Sequence, residues 1–191
     1  MKQINLKKNY LILKNWWESL NLTNYEKNIL NKEIISFNQQ LFRLREKKIR
    51  IGIYGKSGVG KSFILNLLLD KKVFETDIIN GSTTKINGQE WVLQNQSLRT
   101  IELLDSPGFD NCNFTFKEEM YSPIFNSEII LFAIAGDLNR NEVSKINDLI
   151  KDGKKVIIVL NKIDFWNKHE LNDILKNIKL KLPKNLKIPV I

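Results

Sequence analysis

Gly55-Lys56-Ser57-Gly58-Val59-Gly60-Lys61-Ser62 is the stretch whose reading decides the fold. Its spacing is G-x-x-x-x-G-K-S, and its surroundings give that spacing meaning. An apolar run, Ile49-Arg50-Ile51-Gly52-Ile53-Tyr54, stands before it, and Phe63-Ile64-Leu65-Asn66-Leu67-Leu68-Leu69 follows at once. Strand, glycine-rich loop and helix in that order form a phosphate cradle. The glycines let the backbone curl so that its N–H groups point inward at an anion. The first turn of the following helix adds unpaired N–H groups and a partial positive charge. In such a loop Lys61 reaches the outer phosphates and the Ser62 hydroxyl ligates Mg²⁺.

Three further segments stand in order along the chain. Thr100-Ile101-Glu102-Leu103-Leu104 reads as a strand, and Asp105-Ser106-Pro107-Gly108 closes it. Val156-Ile157-Ile158-Val159-Leu160 reads as a strand buried on both faces, and Asn161-Lys162-Ile163-Asp164 follows it. Gly81-Ser82-Thr83-Thr84-Lys85 lies in a polar stretch between the loop and Asp105. D-x-P-G resembles the Mg²⁺ and γ-phosphate sensor of GTPases, and N-K-x-D resembles their guanine-reading motif. The resemblance gives Asp105 the metal through water and the Gly108 N–H the γ-phosphate. It gives Asp164 the guanine N1–H and exocyclic amine, Asn161 the bracing of the loop, and Lys162 the cover of the base. Thr84 is the expected switch threonine in the Mg²⁺ shell, with Thr83 as the adjacent alternative. Adenine offers Asp164 no such pair of donors, and a buried carboxylate left unpaired is a strong basis for discrimination.

With these motifs in order, residues 49–191 resemble a translation-factor-related GTPase, closest to the Era/TrmE-like branch. The helical lead-in, Leu41-Phe42-Arg43-Leu44-Arg45 running to Ile51-Gly52-Ile53-Tyr54-Gly55, is similar to that of Era-like GTPases of photosynthetic bacteria. The resemblance implies GTP as substrate, GDP as product and Mg²⁺ as cofactor. The sequence departs from the family pattern in three places. Phe109 stands where Ras-type enzymes place a water-orienting glutamine, so the catalytic group is expected from elsewhere. Gly58 stands where potassium-activated relatives carry asparagine. Lys187-Ile188-Pro189-Val190-Ile191 reads as the start of a last strand, so the G domain is expected to lack the end of that strand and its final helix.

The rest of the chain sets the frame. Alternating strands and helices from Ile49 onward predict an α/β fold, the three-layer architecture of P-loop NTPases. Strands are expected at 49–54, 89–94, 100–104, 128–135 and 155–160, and helices at 61–70, 116–123, 140–152 and 168–181. Asn95-Gln96-Ser97-Leu98 reads as a hairpin connection, which makes one edge strand antiparallel in a mostly parallel sheet. Residues 1–48 read as a helical appendage. A short amphipathic helix covers 10–22, and Thr23-Asn24-Tyr25-Glu26 fits a capping box opening a second helix. Leu30, Ile34, Phe37, Leu41 and Leu44 then form a heptad stripe.

Of the net charge of +9, +6 resides in residues 1–48, which hold ten Lys/Arg against four Asp/Glu. A basic helical segment suits RNA, the ribosome or an anionic membrane surface, or is simply a solvated face. A single cysteine, Cys112, and a single histidine, His169, exclude an internal disulfide and a Cys/His zinc cluster. The apolar run Ile129–Ala135 is far shorter than the roughly 20 residues that span a bilayer, and a cytoplasmic protein is expected. Two functions fit: a GTPase switch of slow intrinsic turnover, completed by an activating partner or a homodimer contact, or a non-catalytic or degenerate GTP-responsive binding module.

Overall fold

β1 (Lys48–Gly55) and β4 (Ile129–Ile134) change character along their length, from half-buried to buried, whereas β5 (Lys155–Leu160) alternates between buried and half-buried positions after its exposed first residue. In β1 the first four residues are half-buried and the last four are buried. β3 (Thr100–Asp105) ends in three buried residues, Leu103, Leu104 and Asp105. β4 is buried from Ile130 onward. The structure is a computed structural model that describes residues 6–75, 86–92, 100–110, 123–183 and 187–191.

The described elements run α1 (Leu6–Ser19), α2 (Asn24–Ile29), α3 (Asn31–Arg45), β1, α4 (Lys61–Leu69), β2 (Asn87–Val92), β3, β4, α5 (Arg140–Lys151), β5 (Lys155–Leu160) and α6 (Lys168–Lys181). The five strands make one sheet in the order β2-β3-β1-β4-β5. β4 pairs in parallel with β1 on one side and with β5 on the other. The register sets Gly55 beside Ala133 and Ile134 beside Leu160. β2 and β3 are neighbours joined by only residues 93–99. A parallel pair needs a crossover of about a dozen residues or more, so this pair is antiparallel. The sheet is mostly parallel with one antiparallel edge pair, flanked by helices, as the alternating pattern predicts.

Residues 187–191 run along the outer side of β5. The Ile158 N–H donates to the Pro189 carbonyl at 2.9 Å, and the Leu160 N–H donates to the Ile191 carbonyl at 2.8 Å. Val190 bridges Ile158 in parallel.

The chain divides into two compact units, Met1–Ile49 with Glu90–Glu102, and Arg50–Gln89 with Leu103–Ile191. In the second, Ile130, Phe132, Ile146, Ile158 and Ile178 are fully buried between sheet and helices. Tyr54, Phe109 and Phe132 cluster in tilted and edge-to-face pairs at centroid distances of 5.3 to 6.3 Å. α5 and α6 each open with an Asn-x-x-Glu capping box, Asn139 with Glu142 and Asn167 with Glu170.

In the first unit, α1 packs on α3 through aromatic rings: Phe37 lies 4.8 Å from Trp17 and 5.8 Å from Trp16. The tryptophans thus pack, although Trp16 remains half-exposed. The heptad positions Ile34, Phe37, Leu41 and Leu44 form the inner side of α3. The box at Thr23 is present, and the hydrogen bond from the Thr23 backbone N–H holds the Glu26 carboxyl below its usual range. Its contribution is therefore present at neutral pH and fades as acid protonates it.

The helices of the first unit differ in their boundaries from the sequence reading. α1 begins at Leu6 rather than Tyr10 and stops at Ser19. The second helix is divided into α2 and α3 at Leu30, whose φ of −91° and ψ of 16° leave the helical range; the heptad stripe crosses the break unchanged, which is why periodicity missed it. The helix expected at 116–123 lies almost wholly outside the described residues.

Asn66 fixes how the chain leaves α4. Its side-chain oxygen accepts the N–H groups of Val73 and Phe74 at 2.9 and 2.8 Å, and its amide donates to the Phe74 carbonyl at 2.8 Å. Asn66→Ala removes all three partners and costs about 1–3 kcal/mol, measured by urea unfolding. A loss below a few tenths of a kcal/mol would contradict this role.

Candidate functional site

Parallel pairing brings the carboxyl ends of β1, β4 and β5 to one edge of the sheet, and the sequence motifs leave from there. Gly55 ends β1 and the phosphate loop runs to Lys61, the first residue of α4. Asp105 ends β3 and Asn161 follows β5 directly. Gly60 caps α4 with φ 89°, a left-handed conformation that costs any other residue strain. A Cβ on Gly60 would also collide with the Asn161 amide.

Five contacts build the site. The Lys61 ammonium, almost fully buried, donates to the Lys56 carbonyl at 2.7 Å, across the mouth of the loop. The Ser62 hydroxyl donates to the Asp105 carboxylate at 2.5 Å. Two predicted metal ligands, one from the first turn of α4 and one from the end of β3, therefore stand side by side. The Asn161 side-chain amide donates to the Val59 carbonyl at 2.9 Å, and the Asn161 N–H donates to the Ile134 carbonyl at 2.8 Å. Asn161 so ties the loop after β5 to the phosphate loop. Gly108 lies so close to Ser57 that a Cβ there would overlap the Ser57 backbone and hydroxyl.

The remaining predicted residues are placed as follows. Ser57 is half-buried, Gly58 is exposed with φ 72°, and Val59 is buried beneath the loop. Lys162 adopts a left-handed conformation and sets its ammonium 6.0 Å from the Phe165 ring. Asp164 is exposed in the short 3₁₀ turn Ile163–Phe165. Thr84 and its alternative Thr83 lie outside the described residues. Phe109, at the water-orienting position, is buried against Tyr54 and Phe132.

Sequence reasoning missed three residues here. The Ser106 hydroxyl donates to the Ile53 carbonyl at 2.6 Å, pinning the segment after β3 to β1. The Glu142 carboxylate, nearly buried, pairs with Lys56 at 3.7 Å while also serving its capping box. N-x-x-E was legible at Asn139; the long-range partner was not. The third is Asp110, whose Oδ1 accepts the Ser57 N–H at 2.7 Å. No motif marks it.

A phosphate loop on a mostly parallel sheet, with D-x-P-G and N-K-x-D on the same edge, defines a P-loop GTPase domain. Residues 50–162 match the family described as 50S ribosome-binding GTPase, and the chain belongs to it. GTPase Der of Nautilia profundicola is 31% identical over 121 residues, covering 61% of this chain and 26% of its own. The tRNA modification GTPase MnmE of Helicobacter pylori is 32% identical over 171 residues, covering 85% and 36%. Among solved structures, Era in complex with MgGDPNP and nucleotides 1506–1542 of 16S ribosomal RNA superposes with a TM-score of 0.62. Its identity is 26%, over 75% of this chain and 50% of that one. The chain therefore spans about a quarter to a third of the length of these two curated relatives.

The Gly60–Asn161 contact makes a double-mutant cycle informative. Gly60→Ala combines left-handed strain of about 1–2 kcal/mol with a collision against Asn161. Adding Asn161→Ala is expected to recover the collision part and not the strain. Strictly additive losses in urea unfolding would show that the two residues do not press on each other.

Proposed function

We propose that this protein binds GTP with Mg²⁺ and hydrolyses it slowly to GDP, as a cytoplasmic molecular switch. Residues 49–191 form its G domain and residues 1–48 a helical appendage. The observation that carries the reading is the Ser62–Asp105 pair at 2.5 Å, set at the mouth of a loop whose lysine is already turned across it. A hydroxyl beside a carboxylate suits a hard cation that keeps water and phosphate oxygens as its other ligands. Among the described residues no cluster of three or more His, Cys, Asp or Glu offers an all-protein cage instead.

Ser62 and Asp105 would hold Mg²⁺, Asp105 through water, and Thr84 would join them. The ion supplies charge neutralisation at the β- and γ-phosphates. Lys61 and the amides of Gly55–Ser62 bind and orient the phosphates, and the Gly108 N–H meets the γ-phosphate. Asn161 keeps the base loop at fixed distance from the phosphate loop through Val59. Lys162 covers the base and Asp164 takes the two guanine donors. Phe109 is packed in the core and offers no polar group to a water. Turnover on the order of 10⁻³ s⁻¹ or below is therefore expected from the chain alone, with a partner or a second copy supplying the rest.

A second reading concerns the first unit. The charge of +6 on its residues 1–48 and the half-exposed Ile12 and Trp16 on α1 favour contact with an anionic partner. That Era is solved with 16S ribosomal RNA favours RNA as that partner. Nucleotide state would then tune RNA contact, with or without turnover. RNA binding that weakens steeply between about 50 and 200 mM salt supports it; salt-independent binding, or flotation with anionic vesicles instead, removes it.

The test of the main reading is thermal shift in GDP, GTP or ATP with Mg²⁺. At a hundredfold excess over Kd a ligand of the native state adds about 2.7 kcal/mol, several degrees for a chain of this size. GDP and GTP are expected to raise the melting temperature and ATP to leave it unchanged. Lys61→Ala is expected to abolish the shift, and Asp164→Asn to move preference from guanine toward xanthine. Equal shifts with ATP and GTP would sink the base assignment.

A further inference from the structure

Three consecutive residues after the sensor strand lie on the phosphate loop, and each touches it differently. Gly108 abuts Ser57 with no room for a Cβ. The Phe109 N–H donates to the Gly55 carbonyl at 3.3 Å, while its ring is buried beside Tyr54. The Asp110 carboxylate accepts the Ser57 N–H at 2.7 Å. Asp110 itself is exposed, so burial does not force its carboxylate to seek the loop. The loop amides are donors that favour anions, and here the chain supplies an anion of its own.

We propose that Asp110 is a specificity-determining residue that competes with the γ-phosphate for the loop and so biases the site toward GDP over GTP. This rests on the guanine-nucleotide reading above. A third phosphate meets two obstacles at this place. Gly108 is in contact with Ser57, where the phosphoryl group must be accommodated. The Asp110 carboxylate repels the incoming negative charge and holds the Ser57 amide. GTP binding therefore requires the Asp110–Ser57 hydrogen bond to open. GDP, whose phosphates end one group earlier, leaves it closed. Phe109 makes the step discrete: its buried ring anchors the turn, so Asp110 leaves the loop by pivoting about a fixed point. Loss of the γ-phosphate lets the carboxylate return to the Ser57 amide.

The experiment uses the full chain with Mg²⁺ and fluorescent GDP or a fluorescent non-hydrolysable GTP analogue. It compares wild type with Asp110→Asn, Asp110→Ala, Asp110→Glu and a distant control, Asp152→Asn. Asp110→Asn is isosteric and neutral. It is expected to tighten the GTP analogue about tenfold, the scale of one charge-assisted hydrogen bond, and to change GDP affinity by less than about twofold. Asp110→Ala acts in the same direction, and Asp110→Glu, which keeps the charge, restores the wild-type ratio. Circular dichroism melts confirm that each variant folds. An unchanged GTP-to-GDP ratio in both neutral variants overturns the proposal, as does equal tightening of both nucleotides or the same gain from Asp152→Asn. Wild type that binds neither nucleotide overturns the guanine reading itself, an outcome separate from an unchanged ratio.

Discussion

Parallel pairing of β1, β4 and β5 is the constraint on which the rest depends. Strands that run the same way and pair in register end at the same level. Gly55 beside Ala133 and Ile134 beside Leu160 bring the loops at 56–60 and 161–162 out of one edge. Neither loop has a core of its own. Their relative position comes from the buried residues beneath them, Ile53, Phe132 and Ile158, and from the single amide of Asn161 reaching Val59. Close packing transmits that placement because interiors have little free volume to absorb a shift.

How much of this was legible depends on the range of the signal. Segments whose chemistry is local were read directly: the glycine loop, the boundary at Asp105, the apolar strand before Asn161, although only one of its faces is fully buried, and the capping box at Thr23. Each states its conformation within a few residues, through backbone freedom, periodicity or a reciprocal hydrogen bond. The short link between β2 and β3 likewise fixed strand direction by length alone. The interlocking of these parts was another matter. Asn161 lies 102 residues from Val59 and Asp110 lies 53 from Ser57, and nothing in either neighbourhood names the partner. Glu142 reads as a helix cap and becomes a neighbour of Lys56 only once α5 is folded against the sheet. The break at Leu30 was hidden for the opposite reason, because the apolar stripe runs on through it.

Phe109 shows why a single position can be read correctly and incompletely. Its identity removes a glutamine from the site, as the sequence says. Its packing against Tyr54 and Phe132 adds that the residue belongs to the core. A side chain so placed resists rotation, and it couples the turn after β3 to β1 and β4. The same burial that costs the site a polar group steadies Gly108 over the loop.

The three hydrogen bonds between residues 189–191 and β5 bear on solubility. An open sheet margin presents a row of unpaired amides that can recruit a strand from another molecule. Here Ile158 and Leu160 already have their amides paired, so the most apolar part of β5 is not a template. The part of the strand nearer its start carries Lys155, exposed, after Lys154. Lysines at a sheet margin oppose the approach of an identical strand by charge and hydration. Occlusion guards one half of β5 and repulsion guards the other.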